Sequence, residues 1–242
     1  MSKFGAPEKL IVNGERLDGR GLKDFRPIEL DAGNLKRALG SGLFNFGTTH
    51  AIAAVYGPRN LHPKWMQDPS RAVLRCTYTM APFSTTERSR PGHSRRSTEI
   101  SKVIKEALSQ VIFFEEFPKA VIDVFIEIVQ ANASTRCAGL NAAAMALADA
   151  GIPMRDLVSC CSVGKIDGKI ALDMAGLEDN FGDVDIAVAT VGGTDKVVLL
   201  QLDGILSKEE FFEALDLAVD GCSKINDMQK KVLLEKYRGE EK

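Results

Sequence analysis

The chain has 242 residues, 31 Lys and Arg against 33 Asp and Glu, and 45% hydrophobic residues, for a net charge of −2. That balance excludes a protein that grips polyanions through a global basic field, so any anion site must be local. No apolar stretch approaches the roughly 20 residues of a membrane span, so no membrane role is expected.

"MSKFGAPEKL" lacks an apolar core and a small-residue cleavage site, so no signal peptide is expected. The polar "NGERLDGRG" reads as irregular and rich in turn formers. "GLFNFGTTHAIAAVYGP" predicts a hairpin around a Gly-Thr-Thr turn, and "AVLRCTYTMAPF" a third strand. "STEISKVIKEALSQVIFFEEF" predicts an amphipathic helix capped by Ser97 or Thr98 and closed by Pro118. Its apolar positions Ile100, Val103, Ile104, Ala107, Leu108, Val111 and Ile112 keep the helical spacing. "AVIDVFIEIVQA" predicts a strand. "STRCAGLNAAAMALADAGIP" predicts a helix so poor in charge that it must be buried on most sides. "DLVSCCSVGKIDGKIALDM" predicts a hairpin turning at Asp167-Gly168, and "DIAVATVGGTDKVVLLQLDG" two strands around Gly192-Gly193. A last helix begins at Ser207, with Glu210 completing a capping box. The five cysteines lack C-x-x-C spacing and are expected to be reduced thiols in a cytoplasmic protein. The expectation is one α+β domain over residues 1–242, with 1–10 and 236–242 fraying.

Three features carry chemistry. "EDNFGDVD" crowds four carboxylates between runs that look like buried strands. A solvated turn accounts for Glu178 and Asp179. Asp183 and Asp185, two apart at the mouth of a strand, point to one face and repel unless a cation or a proton relieves them. "GHSRRSTEISK" places Arg95 and Arg96 just before a helix, where cations are disfavoured. Either they sit on a solvated loop or an anion is held there. "NASTRCAGLNAAA" sets Ser134, Thr135 and Arg136 at the start of the helix that has almost no other charge, as an N-cap or a phosphate cradle. Two anion sites beside a carboxylate cluster suggest phosphate-ester chemistry with a divalent metal. "GPRNLHPKW" clusters Arg59, His62, Lys64 and Trp65. It suits single-stranded nucleic acid by charge plus stacking, or is a solvated loop with Trp65 tucked beneath it. His50, His62 and His93 have no metal-ligand spacing.

Taken in order, "RLDGRGLKDFRPI", "AAVYGPRNLHPKW", "SRRSTEISKVIKEAL", "ALADAGIPMRDLV", "LEDNFGDVDIAVA" and "LLQLDGILSKEEF" resemble the RNase PH family. The resemblance is closest to the catalytic type of subunit in archaeal exosomes and runs from about residue 10 to 230. It implies an RNase PH-like α+β fold (ribosomal protein S5 domain 2-like) and a phosphate-dependent 3′→5′ exoribonuclease. Such an enzyme releases nucleoside diphosphates and runs backwards to add 3′ tails. By the same resemblance Asp185 matches the catalytic aspartate, with Asp183 beside it, and Asp179 a metal-binding carboxylate. Mg²⁺ at Asp179 and Asp185 is the implied cofactor and inorganic phosphate the co-substrate, with Asp185 either protonating the departing 3′ oxygen or holding the ion that stabilises it. Ser134, Thr135 and Arg136 match the phosphate site. Arg95 and Arg96 match the grip on the RNA 3′ end, and His62 and Lys64, with Arg59, an RNA-contacting loop. The implied partners are single-stranded RNA, a related non-catalytic subunit in a ring of three heterodimers, and RNA-binding cap proteins. Relatives often carry Asp-Ala-Gly-Thr-Arg where this chain has Asn132-Ala133-Ser134-Thr135-Arg136. A non-catalytic scaffold subunit of the same ring is the alternative; retention of Asp185 and the Thr135-Arg136 pair favours catalysis. An enzyme of small phosphorylated metabolites is disfavoured by the basic aromatic loop.

Overall fold

Residues 9–12 and 14–238 are described by the computed structural model. β1 (Ile11–Val12) and β2 (Glu15–Arg16) form a short ladder. They lead into β3 (Ile28–Ala32), β4 (Gly40–Phe46), β5 (Thr49–Asn60), β6 (Val73–Met80), α1 (Arg95–Ser109) and β7 (Ala120–Gln130). The five longer strands make one sheet in the order β3-β4-β5-β7-β6. Only β6 and β7 run parallel, and α1 is the crossover that a parallel pair requires. The second half comprises α2 (Thr135–Asp149), β8 (Val158–Ile166), β9 (Lys169–Leu172), α3 (Gly176–Phe181), β10 (Val184–Val191), β11 (Val197–Asp203) and α4 (Lys208–Arg238). Its strands form an antiparallel sheet in the order β11-β10-β8-β9.

The charge-poor α2 lies between the two sheets, against β4, β5 and β7 on one side and β8 and β10 on the other. Twelve of its fifteen residues are buried, which is why alanine and leucine dominate it. Close approach demands glycine opposite. A Cβ on Gly42 would stand 2.4 Å from the Ala142 carbonyl, and one on Gly40 would stand 2.2 Å from the Ala150 nitrogen. One continuous core joins Phe44, Ile104 and Ile126 of the first half to Met145, Val163 and Val188 of the second. Ala214, Ala218, Cys222 and Ile225 of α4 complete it, and Cys137, Cys160 and Cys161 are buried within it.

The three predicted hairpins form with their expected turns, and Ser207 and Glu210 exchange the bonds of a capping box. Four expectations need correction. α1 begins earlier: Ser94 is its cap, and Ser97 is the partner that returns a bond to the Ser94 N–H. It also ends earlier, at Ser109, because the backbone of the next residues bonds across to Pro153, Met154 and Arg155 instead of continuing the helix. The "EDNF" stretch is not a turn but the helix α3. Of the termini expected to fray, Leu10 is buried and donates its N–H to Asp167, while Lys236 and Tyr237 remain helical and hold Asp149. Residues 1–8 and 239–242 lie outside the described residues. Among the described residues no helix is long and apolar enough to cross a membrane.

Candidate active site

Where the two halves meet, a cleft of about 940 Å³ opens, within the roughly 300–1,000 Å³ usual for small-molecule sites. One wall is the start of α2, Asn132 to Cys137, with Arg96 of α1 and the loop carrying Thr85, Thr86 and Ser89. The other wall is α3, the entry to β10 and the end of β11.

The cationic wall starts from an exceptional backbone. Ala133 and Ser134 are both left-handed, at φ 62° and 54°, and Ser134 makes no side-chain cap. The first N–H groups of α2 therefore lack an intrahelical or capping partner, and they open beside Thr135 and Arg136. Arg136 is mostly buried, 3.6 Å from Glu99, and its Nε has no partner. Glu99 also accepts a 2.8 Å bond from Gln201. The hydroxyl of Ser134, predicted to cradle phosphate, is already engaged. It accepts from Arg26 at 3.1 Å, bonds Ser162 at 2.7 Å and donates to the Met174 carbonyl at 3.1 Å. That corrects the hydroxyl cradle: what Ser134 offers the cleft is backbone. Arg95 and Arg96 prove to be the first two residues of α1, not a preceding loop. Arg96 lines the cleft; Arg95 is exposed and does not.

On the opposite wall Asp179, Asp183 and Asp185 all line the cleft. Asp185 enters β10 and its carboxyl is pushed up to about 6, by burial first and then by the charge of Asp179, with Asp203 adding; Arg136 and Arg96 pull the other way. Asp179 is raised too, by the partial burial of its carboxyl and by Asp203, against the pull of Arg96, Arg136 and Arg26. Asp183 stands exposed just before the strand, its N–H bonded to the Lys165 carbonyl. Asp203 was missed from sequence. It sits directly opposite Asp185 in the β10–β11 ladder, but a register shift between Ala189 and Thr190 hides that pairing from any count outward along the hairpin. Glu178, read as solvated, is buried instead. It pairs with the buried Arg16 and accepts the Ala175 N–H at 2.7 Å, which caps α3 and so fixes Asp179. Among the described residues no three His, Cys, Asp or Glu side chains converge as a ready-made metal site.

The remaining basic residues lie elsewhere. Arg59 is bound to Asp123 at 2.6 Å beside Arg75. Burial raises the Asp123 carboxyl, but hydrogen bonds from Arg75 and Arg59 win and hold it below the usual carboxylate range. His62, Lys64 and Trp65 follow β5 and are exposed, Trp65 at 82%, so it is not tucked under its loop. Asn60 pairs with Ala120 at one end of the eleven-residue β7, whereas the cleft lies past Gln130 at the other. At about 3.3 Å per residue the loop is on the order of 30 Å from the cleft.

Fold and cleft together define the class. Residues 24–153 match domain 1 of the 3′ exoribonuclease family and residues 156–221 match its domain 2. The chain belongs to this RNase PH family. It is 54% identical over 230 residues to the exosome complex component Rrp41 of Pyrococcus abyssi, covering 95% of this chain and 92% of the relative. To the component of the same name from Methanopyrus kandleri it is 51% identical over 235 residues, covering 97% and 98%. Among solved structures, rice Rrp46 superposes with a TM-score of 0.80 at 24% identity, over 90% of this chain and all of that one. A chain of the Archaeoglobus fulgidus exosome with RNA bound to the active site gives 0.77 at 24% identity, over 88% and 92%. These two establish the RNase PH-like fold.

Proposed function

We propose that this chain is the catalytic subunit of an exosome ring, shortening single-stranded RNA from its 3′ end with inorganic phosphate as nucleophile. One observation carries the reading: a single cleft sets an uncapped helix start and two arginines against a carboxyl poised near 6. A water nucleophile has no use for such an anion seat; phosphate does. Inorganic phosphate docks on the α2 N–H groups and Arg136, and Arg96 holds the scissile phosphate. The nucleophilic oxygen bonds to the scissile phosphorus, and the bond to the 3′ oxygen of the preceding nucleotide breaks. Asp185 hands that oxygen its proton and later recovers one from the attacking phosphate or solvent. The products are a nucleoside diphosphate and an RNA one nucleotide shorter; excess diphosphate drives tail synthesis.

The donor set suits Mg²⁺, which accepts one or two carboxylates and completes its shell from water and substrate phosphates. Asp179 would hold it, joined by Asp185 only where Asp185 works ionised in place of its acid role; the repulsion from Asp179 that raises Asp185 is what such an ion would relieve. Bound there, the ion would supply positive charge to the leaving oxygen. The relatives are named as exosome components; the setting proposed for this chain is a ring with a related subunit and RNA-binding cap proteins.

The test is end-labelled single-stranded RNA incubated with and without phosphate. Diphosphate products that require phosphate are expected. Monophosphates released without it would overturn the mechanism, and RNA binding with no turnover in the assembled ring would favour a scaffold subunit.

A further inference from the structure

We propose that Arg26 is a positioning residue, whose guanidinium holds the left-handed bend before α2 in the shape that receives phosphate. This rests on the reading that the start of α2 is the phosphate seat. Two consecutive residues with a Cβ, Ala133 and Ser134, hold positive φ there. Such residues adopt that conformation only where surrounding contacts impose it. Those contacts converge on Arg26. One guanidinium nitrogen donates to the Asn132 carbonyl at 2.6 Å and the other to the Ser134 hydroxyl at 3.1 Å, so the fork spans the bend. Thr49 braces the same turn, donating to the Ala133 carbonyl at 2.9 Å and accepting the Asn132 N–H at 3.0 Å.

Arg26 is itself immobilised. It is buried, lies over the ring of Phe46, and is bound by the buried Asp173 through its Nε at 2.9 Å, a terminal nitrogen at 2.6 Å and its own backbone N–H at 2.8 Å. Asp173 begins the segment that runs through Met174, whose carbonyl bonds Ser134, into α3 and Asp179. The same side chain thus braces the cationic wall and the root of the acidic wall. It does not line the cleft, and so acts through the backbone it holds.

The experiment uses Arg26→Lys, which keeps the charge facing Asp173 but loses the fork. Inorganic phosphate affinity is read from its dose-dependent thermal shift on the full chain, and RNA affinity from fluorescence anisotropy. Phosphate binding should weaken tenfold or more while RNA binding stays within twofold. In a Ser134→Gly background, where glycine holds positive φ unaided, the same Arg26 substitution should cost less than threefold. A merely structural role would lower both affinities together and would be indifferent to the glycine. Should Arg26→Lys fail to fold, Arg26→Gln with Asp173→Asn removes both buried charges and faces the same comparison. Unchanged phosphate affinity, or an equal loss in both backgrounds, overturns the proposal. Arg136→Ala separates the failures. If it weakens phosphate binding and Arg26→Lys does not, the positioning role alone is wrong. If neither matters, the phosphate seat is wrong and this proposal falls with it.

Discussion

At the residue scale the proposed mechanism turns on Asp185. Its carboxyl is raised to about 6, so folding lets it keep a proton over a range where an exposed aspartate has lost it. The sign follows: the fold bears a cost above about pH 6 that is relieved as pH falls toward the ordinary carboxylate range. An acid of that strength is protonated in roughly a tenth of molecules at pH 7 and roughly a hundredth at pH 8. Turnover should therefore fall with rising pH above 6. Inorganic phosphate titrates in the same range, so the comparison with Asp203→Asn carries the test. Removing the carboxylate opposite Asp185 lowers its pKa and should move the falling limb to lower pH, with phosphate common to both profiles. A wild-type rate that climbs from pH 6 to 8 would show Asp185 working ionised, as a metal ligand. Asp185→Asn should cost roughly two orders of magnitude or more in turnover and leave RNA binding unchanged or slightly tighter, by filter binding. A comparable loss from Asp183→Asn with none from Asp185→Asn would put the chemistry on the exposed neighbour. The sequence exposed Asp183 and Asp185 through their crowding. It hid Glu178, because burial beside Arg16 depends on a strand pair some 160 residues away.

At the level of elements, legibility followed periodicity. α4 and the three hairpins could be read because apolar spacing and turn residues agree with the fold, and α2 because its run of alanine, leucine and methionine is poor in charge and stops at Gly151 and Pro153. α1 could not be read to its end, since the apolar run to Ile112 continues while the backbone switches partners to Pro153 and Met154. α3 is six residues long, too short for any periodic signal, and exists because Glu178 caps it and binds Arg16. Its dependence on that pair is measurable. Both side chains are almost fully buried, so Glu178→Ala leaves a buried guanidinium without its partner and should cost about 3–5 kcal/mol of stability in urea unfolding. A loss below about 1 kcal/mol, the range of surface pairs, would show the bridge to be dispensable. On the proposed mechanism the two helix starts hold different anions. Arg136→Ala should mainly raise the phosphate concentration needed for turnover, whereas Arg95→Ala with Arg96→Ala should weaken RNA binding and flatten its salt dependence. Within the pair, Arg96 should account for most of the loss, because it alone lines the cleft. A phosphate requirement that moves with the pair and not with Arg136 would exchange the two sites.

For the whole molecule, the distance between the cleft and the Trp65 loop sets the argument. Order along the chain and resemblance revealed the fold, but no local pattern could place residues 59–65 at the far end of the five-stranded sheet, since that follows from strand register. On the proposed mechanism the loop lies too far off to act on the 3′ terminal nucleotide and would meet RNA several nucleotides upstream. One such loop on a chain of net charge −2 is a weak hold on a polyanion. Its sheet also presents Tyr56 and Phe125, packed edge to face and each partly exposed. Closure into a ring would bring several loops around one strand and turn each further contact into an intramolecular event. The isolated chain should consequently degrade RNA poorly and release it often, and addition of the related subunit should restore processive shortening. Light scattering for mass and a gel assay for product ladders, run on the same samples, make the comparison. Trp65→Ala in the assembled ring should raise the fraction of partly shortened products while leaving turnover of very short RNA intact, because those never reach the loop. A monodisperse monomer with full processivity, or a ring indifferent to Trp65, would sever the loop from the work of the cleft.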